Sequence, residues 1–499
     1  MTVKNNFLFL AILLLYSCAA TNKNYSPTKK YPKEQLQQDY ALLRNIFEKK
    51  HPSLYWYTSK DSMDMYFEKY YGAIEDSMTE QQFGWKIIAP LTRQLHCGHT
   101  SFGMSKAYNK WVGNKKFATF PLFMKFWNDS MAVTANLNRK DTIFKRGTLV
   151  TSVNGMRYKE LTQTMFGYLT EDGFAENVNY LRLSNNFPYY HRNIFGLSRN
   201  YTVQFLDSIG KEHTVKVPLF EFPKDSSMQS GSAPPIKPTR HERRLQRLQV
   251  ARSLAIDTIN NTAVITLNTF SNGGLRKFYR QSFRYIRKAQ ISNLVLDLRS
   301  NGGGKINLST LLTKYVTRLP FKVADTSFAV AKTLRPYTKY IKGKFINNIG
   351  LFFLTKKRSD GLYHFGLWER KLYHPKHKNH FGGDLYVLTN GSTFSASALF
   401  CNDVRGQPGI KLVGEETGGG WHGNDGILIP DITLPNTHLR VRLPLFRLIQ
   451  YKHAPKDGRG IMPDIYIATN YEALVKGFDK KMQVVRLLIR QKNAMGNLQ

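Results

Sequence analysis

The sequence predicts an α/β protein of about three domains, and three observations carry that reading. A chain of 499 residues exceeds what a single hydrophobic core organises. From about residue 250 to 470, short apolar runs of strand type alternate with helical periodicity. Two of those strands run directly into small-residue turns that open helices, at 297–304 and 389–395. With 42% hydrophobic and 13% aromatic residues against 21% charged, the composition supplies a core and excludes wholesale disorder.

In chain order, Lys4 precedes the apolar run Phe7–Leu15, and Leu15-Tyr16-Ser17-Cys18 closes it. A secretory leader has this form, and the run is shorter than the roughly 20 residues a bilayer-spanning helix needs. The segment resembles a bacterial lipobox. That likeness implies a signal peptide over 1–18, a diacylated Cys18, and an exported, membrane-anchored lipoprotein in the periplasm or outer membrane. Residues 19–32 read as a polar tether. Residues 33–110 form a helical domain: Leu36, Tyr40, Leu43 and Phe47 share one helix face, and Phe83, Ile87, Leu91 and Leu95 follow a Thr79-x-x-Gln82 capping pattern. Residues 111–221 are β-rich, with strands at Ser130–Ala135 and Tyr201–Phe205. The segment Gly147 to Gly155 between them resembles the strand and turn of a PDZ domain, where a sheet edge accepts a peptide as an added strand; a hairpin turn at Asn154-Gly155 explains it nearly as well. Residues 222–250 combine prolines, Ser and Gly with a basic run and read as a linker. The remaining domain, 251–499, holds strands at Ala263–Leu267, Leu294–Leu298 and Leu385–Leu388. Its helices are Ile306–Val316, Ser395–Val404 and a final amphipathic stretch, Tyr471–Arg490.

A net charge of +37 would suit nucleic acid, but the export signal argues against it. An anionic membrane or surface polymer becomes the expected partner of the basic residues, which are densest from Arg240 to Arg252. Beyond Cys18 only Cys97 and Cys401 remain. Two thiols make no disulfide framework and show no zinc spacing, so both are expected to be buried and free. No feature specifies an oligomer. Tyr55, Trp56 and Tyr57, next to His51-Pro52, read as a packing cluster.

Chemistry concentrates in two strand-to-helix turns. Asp297-Leu-Arg-Ser-Asn-Gly-Gly-Gly304 exposes backbone N–H groups suited to an anion, either a phosphate or an oxyanion. Lys305 is followed by Ile306, and the glycine spacing is neither the phosphate-loop nor the dinucleotide pattern, so the oxyanion reading is preferred. Leu385 to Ala398 puts Ser395 among small residues at a helix start. The helix dipole favours a nucleophile's developing charge there, although capping alone would also explain a serine.

Together these segments resemble the carboxyl-terminal processing, or tail-specific, serine peptidases. The family's Asp-Leu-Arg-x-Asn-x-Gly-Gly strand end is matched at Asp297–Gly304 and its Ser-Ala-Ser helix at Ser395-Ala396-Ser397. The Val-Gly-Glu-x-Thr-x-Gly segment is matched at Val413–Gly419, and the Gly-x-x-Pro-Asp motif at Gly460–Asp464. The resemblance implies a ClpP/crotonase-like β/α spiral core, an N-terminal helical subdomain and an inserted PDZ-like domain. It further implies cleavage of polypeptides through an acyl-enzyme on Ser395, with no metal or cofactor. Oxyanion donors would be the amides of Gly302 or Gly303 and of Ala396.

The lysine base of the best-known members has no counterpart, since its place falls at Gly420. The tricorn-like branch takes a histidine from the helical domain instead, which Cys97-Gly98-His99-Thr100 resembles. His99 is therefore the first choice of base, with His422 in the glycine-rich loop as rival and a purely structural role for both also open. The acidic orienter of that branch corresponds approximately to Asp457, with Glu415 as alternative. A catalytically inactive binding lipoprotein of the same fold is the competing function.

Overall fold

Strand Asn293–Asp297 is apolar through Leu294–Leu296 and buried on both faces there, which places it inside a parallel sheet covered by helices on either side. The computed structural model describes residues 25–223, 238–450 and 455–496. The expected leader, Cys18, and residues 224–237 of the expected linker lie outside that set. The central sheet runs Arg252–Asp257, Thr262–Leu267, Asn293–Asp297, Asp384–Thr389, Ile410–Gly414, Ile465–Tyr466; the first pair is antiparallel and every later pair parallel. Helices Leu275–Lys288, Ile306–Val316 and Ala396–Val404 cover one face through Phe283, Leu312, Tyr315 and Phe400, and Lys480–Gly496 covers the other through Val485 and Ile489. This is the α/β core expected from the alternating pattern.

Because neighbouring parallel strands end on the same side, register decides which turns meet. Asp297 pairs with Leu388, so the glycine turn after one strand lies beside the serine turn after the other. Two bonds lock the turns together: Thr393 Oγ1 donates to the Leu298 carbonyl at 3.0 Å, and the Phe394 amide to the Asn301 carbonyl at 3.2 Å.

The helical region does not have a core of its own. Leu36, Leu43, Phe47, Phe83 and Leu95 belong to the same buried cluster as Ala329, Leu351, Ile427 and Phe446, which lie in and around a second, five-stranded sheet. Strand Phe102–Gly103 also pairs with Arg440–Arg442. The Thr79/Gln82 capping box forms on both sides, at 3.2 and 2.9 Å, but the helix after it is not regular. Phe83–Ile88 takes the wider π-form before Ala89–Arg93, and the seam falls next to Pro90, which has no amide to donate.

Residues 119–220 form a β-rich unit with its own core around Phe120, Phe126, Leu161 and Phe187. Asn154 and Gly155 take positive φ in the expected hairpin turn. Helix Asn177–Phe195 was not legible in the sequence, since Pro188 and a kink at Asn186 break its periodicity. The described part of the expected linker forms helix Arg240–Ala251, started by a Thr239/Glu242 capping box. The terminal amphipathic stretch divides into Tyr471–Lys476 and Lys480–Gly496, with Gly477 at φ +71° between them. Cys97 and Cys401 are both buried and free, as expected.

One residue of the β-rich unit yields a stability prediction. His191 stacks on Phe120 at 5.2 Å, is buried, and has no hydrogen-bond partner on either ring nitrogen. Burial pushes its pKa down to about 4. The folded value lies below the unfolded one, so the associated stability is complete above about pH 6.5 and is lost as the pH falls through 4. His191→Phe should therefore remove on the order of 3 kcal/mol of acid sensitivity, read as a smaller drop in unfolding free energy between pH 7 and pH 4 in urea titrations.

Candidate active site

Ser395 stands at the last position before helix Ala396–Val404, with φ 54° and ψ −122°. A non-glycine residue adopts this conformation only where its surroundings hold it, and it thrusts the side chain out of a sharp strand-to-helix turn. The glycine turn makes the room. A Cβ on Gly303 would fall 2.7 Å from Ser395 Cβ and 2.9 Å from the Ala396 nitrogen, so only glycine fits there, and its φ of +96° favours glycine as well. Gly419 approaches from the other side, where a Cβ would meet the Ser395 nitrogen at 3.0 Å. Ser395 keeps 9% of its exposure, enough for contact with solvent in an otherwise buried setting.

His99 is brought to the same place. The point where a Cβ on Gly426 would lie is 3.0 Å from Ser395 Oγ and 3.2 Å from His99 Nε2, so the two atoms are within about 6 Å of each other, with no hydrogen bond between them. The imidazole packs on Phe394, the residue before the serine, with ring centroids 4.5 Å apart. Gly98 permits this approach, since a Cβ there would lie 2.7 Å from Phe394 Cζ. Burial pushes the His99 pKa down to about 3; the Asp425 charge opposes the shift, and the charges of Arg442 and Arg447 add to it. The ring is therefore neutral throughout the physiological range, the form that accepts a proton.

Of the amides expected to receive an oxyanion, that of Gly303 already donates to Asn301 Oδ1 at 3.0 Å. Those of Gly302 and Ala396 donate to no acceptor among the described residues. Ala396 also begins a helix whose first-turn amides point toward the serine's side of the turn.

Other expected residues sit differently. Asp457 is exposed and its carboxylate accepts from the Arg459 amide in its own turn at 2.9 Å; the structure does not bring it to His99. Glu415 is engaged by the buried ammonium of Lys481, which fixes it as a structural ion pair under the sheet. His422 is buried against Trp56, with centroids 5.8 Å apart.

Behind His99 lies a buried group of charges that sequence reasoning missed. Asp425 accepts from Ser53 Oγ at 2.6 Å and from Cys97 Sγ at 3.1 Å, and meets Arg447 at 3.4 Å. Burial would raise its pKa, but Arg447, His51 and Ser53 hold the carboxyl below its usual range. The Arg447 guanidinium is fully buried, 4.4 Å from the Trp56 ring centre and 5.9 Å from that of Tyr57, so the expected aromatic packing cluster forms a cation platform. Asp172 accepts from the Gly420 amide at 3.0 Å, and burial, reinforced by Asp425, raises its pKa to about 7. The one available signal was Arg447 itself, a lone cation in the apolar run Leu443 to Ile449; Asp172 and Asp425 sit in Asp-Gly pairs that read as ordinary turns.

A cavity of about 750 Å³ lies between the β-rich unit and the core, lined by Trp127, Glu176, Tyr180, Glu416, Arg459 and Tyr471 among others. Neither Ser395 nor His99 lines it, so it is not the site of the chemistry described above. Among the described residues no cluster of three or more His, Cys, Asp or Glu is arranged to hold a metal ion.

Comparison with known proteins agrees with this architecture. Residues 261–467 match the model of peptidase family S41. The fold is similar to the crystal structure of mature CPAF, with a TM-score of 0.60 at 13% identity over 92% of this chain and 98% of that one. It is similar also to mature CPAF complexed with lactacystin, with a TM-score of 0.59 at 13% identity over 92% of this chain and 99% of that one. Among curated protein sequences none matches.

Proposed function

Because the chain belongs to peptidase family S41 through residues 261–467 and is a serine-type peptidase, we propose that it hydrolyses polypeptides with Ser395 as nucleophile and His99 as general base. The observation that carries this assignment is the convergence of Ser395 Oγ and His99 Nε2 on one point above Gly426. Substrate carbonyl carbon is attacked by Ser395 Oγ while the hydroxyl proton passes to His99 Nε2, giving a tetrahedral oxyanion. The amides of Ala396 and Gly302 are the donors free to receive that oxygen, each worth about a hundredfold or more in rate. Collapse breaks the C–N bond, the His99 proton leaves with the amine, and water hydrolyses the ester by the reverse relay. Asp425, paired to Arg447, takes the electrostatic part expected of an orienting acid: its charge favours the imidazolium that forms during transfer.

The competing reading, an inactive peptide-binding member, leaves the strained backbone that sets Ser395 beside His99 without a purpose. Export as a lipoprotein through Cys18 rests on the leader and lipobox resemblance, and mass spectrometry of the mature N-terminal peptide from cells tests it.

Reaction with a fluorophosphonate probe tests the nucleophile. A phosphonyl adduct is expected on the tryptic peptide containing Ser395 and is lost in Ser395→Ala; an adduct on any other serine overturns the assignment. The depressed His99 pKa adds a pH prediction. Activity needs the neutral ring, which exists above its pKa, so kcat/KM should stay level from pH 8 to about pH 5 and fall only as the pH approaches 3. An acid limb centred near the ordinary imidazole value of about 6.5 would exclude His99 in this environment as the titrating base.

A further inference from the structure

Helix Lys344–Leu354 presents an apolar face that no part of the described chain covers. At 3.6 residues per turn, Phe345, Ile346, Ile349, Phe352 and Phe353 fall within an arc of about 120°. All five are exposed, Phe345 and Phe353 each at 75% and Ile346 at 71%. The other side fastens the helix to the body: Leu351 is buried in the core shared with Ile427, and Asn348 Oδ1 accepts from the Leu334 amide at 2.8 Å. Single exposed apolar residues are ordinary, but five adjacent on one arc mark a contact surface.

The rim of this face is cationic. From Thr326 to Ser359 the chain carries eight Lys or Arg residues and no acid. Lys342, Lys344, Lys356 and Lys357 are exposed at the two ends of the helix, and Lys332 Nζ stands 4.2 Å from the centre of the Phe352 ring. The next acids along the chain, Asp360 and Glu369, are engaged by His364 and by Arg358 with His364. A whole-chain charge of +37 places the patch in a positive surround.

We propose that this helix lies in the surface of an anionic phospholipid bilayer, with the Phe345, Ile349 and Phe353 face reaching the acyl boundary and the flanking lysines meeting headgroup phosphates. Hydrocarbon bordered by phosphate is the one surface that complements an aromatic stripe bordered by ammonium groups. A second copy would set like-charged rims against each other across a two-fold contact, and nucleic acid offers nothing for five apolar side chains. The helix has 11 residues, and no helix among the described residues is long and apolar enough to cross a membrane, so the contact is interfacial. This inference does not depend on the peptidase assignment.

The test is flotation of the full chain carrying Cys18→Ser, which excludes lipid attachment at that residue, with vesicles of phosphatidylcholine alone or containing about 30% phosphatidylglycerol at roughly 0.1 M salt. Binding should be at least tenfold tighter to the anionic vesicles and should weaken at high salt. Phe345→Ser with Phe353→Ser should reduce it about tenfold, and each of Lys342→Glu, Lys344→Glu, Lys356→Glu and Lys357→Glu roughly fivefold or more. Because all these side chains are exposed, the variants should unfold at the temperature of the parent. Equal binding to both vesicle types, or binding unchanged in the variants, overturns the proposal. So does self-association of the parent that Phe345→Ser abolishes, which would assign the face to a second copy.

Discussion

Ser395→Ala should lower kcat for peptide hydrolysis about 10⁴-fold or more, with KM and thermal unfolding little changed. Alanine removes the attacking oxygen but leaves the helix start, the glycine turn and any substrate contacts in place. His99→Ala should cost a comparable factor, because an unassisted serine hydroxyl is a weak nucleophile near neutral pH. The informative measurement is the double variant. If the two groups act in one proton-transfer step, the double variant is no slower than the worse single, since once the hydroxyl or its base is gone the other has nothing left to do. Factors that multiply would mean that Ser395 and His99 act independently, and the proposed mechanism would fail. Residual activity over uncatalysed hydrolysis should persist through the Gly302 and Ala396 amides.

Arg447→Met should destabilise the protein by about 3–5 kcal/mol in urea unfolding, the usual cost of removing one partner from a buried ion pair. The guanidinium is the cation that holds Asp425 ionised and that opposes the rise in the Asp172 pKa, and no exposed route lets either carboxylate recover water. Neutralising the stranded partner should recover part of the loss, so Arg447→Met with Asp425→Asn should be more stable than Arg447→Met alone. The effect should reach the proposed base as well. Arg447 contributes to the low pKa of His99 and Asp425 opposes it, so the single variant should move the acid limb of kcat/KM to higher pH. A variant within 1 kcal/mol of the parent would show that the buried pair carries no net charge or is not formed.

How much was legible can be judged from particular elements. Helix Ile306–Val316 was bounded correctly from its apolar spacing, and the core strands to within about a residue or two, because each strand is mostly buried and reads as a short, largely apolar run. Helix Asn177–Phe195 was missed because an internal proline and kink disrupt the only signal that spacing provides. For the site, Ser395, Ala396 and Gly302 were legible as turn chemistry. Asp425, Arg447 and Asp172 were not, since a charged residue's burial depends on partners hundreds of positions away along the chain: Ser53 meets Asp425 across 372 residues.

The sequence by itself determined the composition of the parts: an α/β core, a strand end with three glycines, a small-residue serine turn, a histidine after Gly98, and an excess of cations. Those are local properties, set by side-chain period, glycine's freedom and the chemistry of single groups. Only the tertiary structure decided how they meet. Parallel register set the glycine turn beside the serine turn, the shared core carried His99 in from the helical region, and burial made that imidazole neutral. The same folding turned Asp457 outward to its own turn and buried Asp425 against Cys97, two residues from His99. Distance along the chain carries no information about such contacts, because they are fixed by which surfaces bury each other.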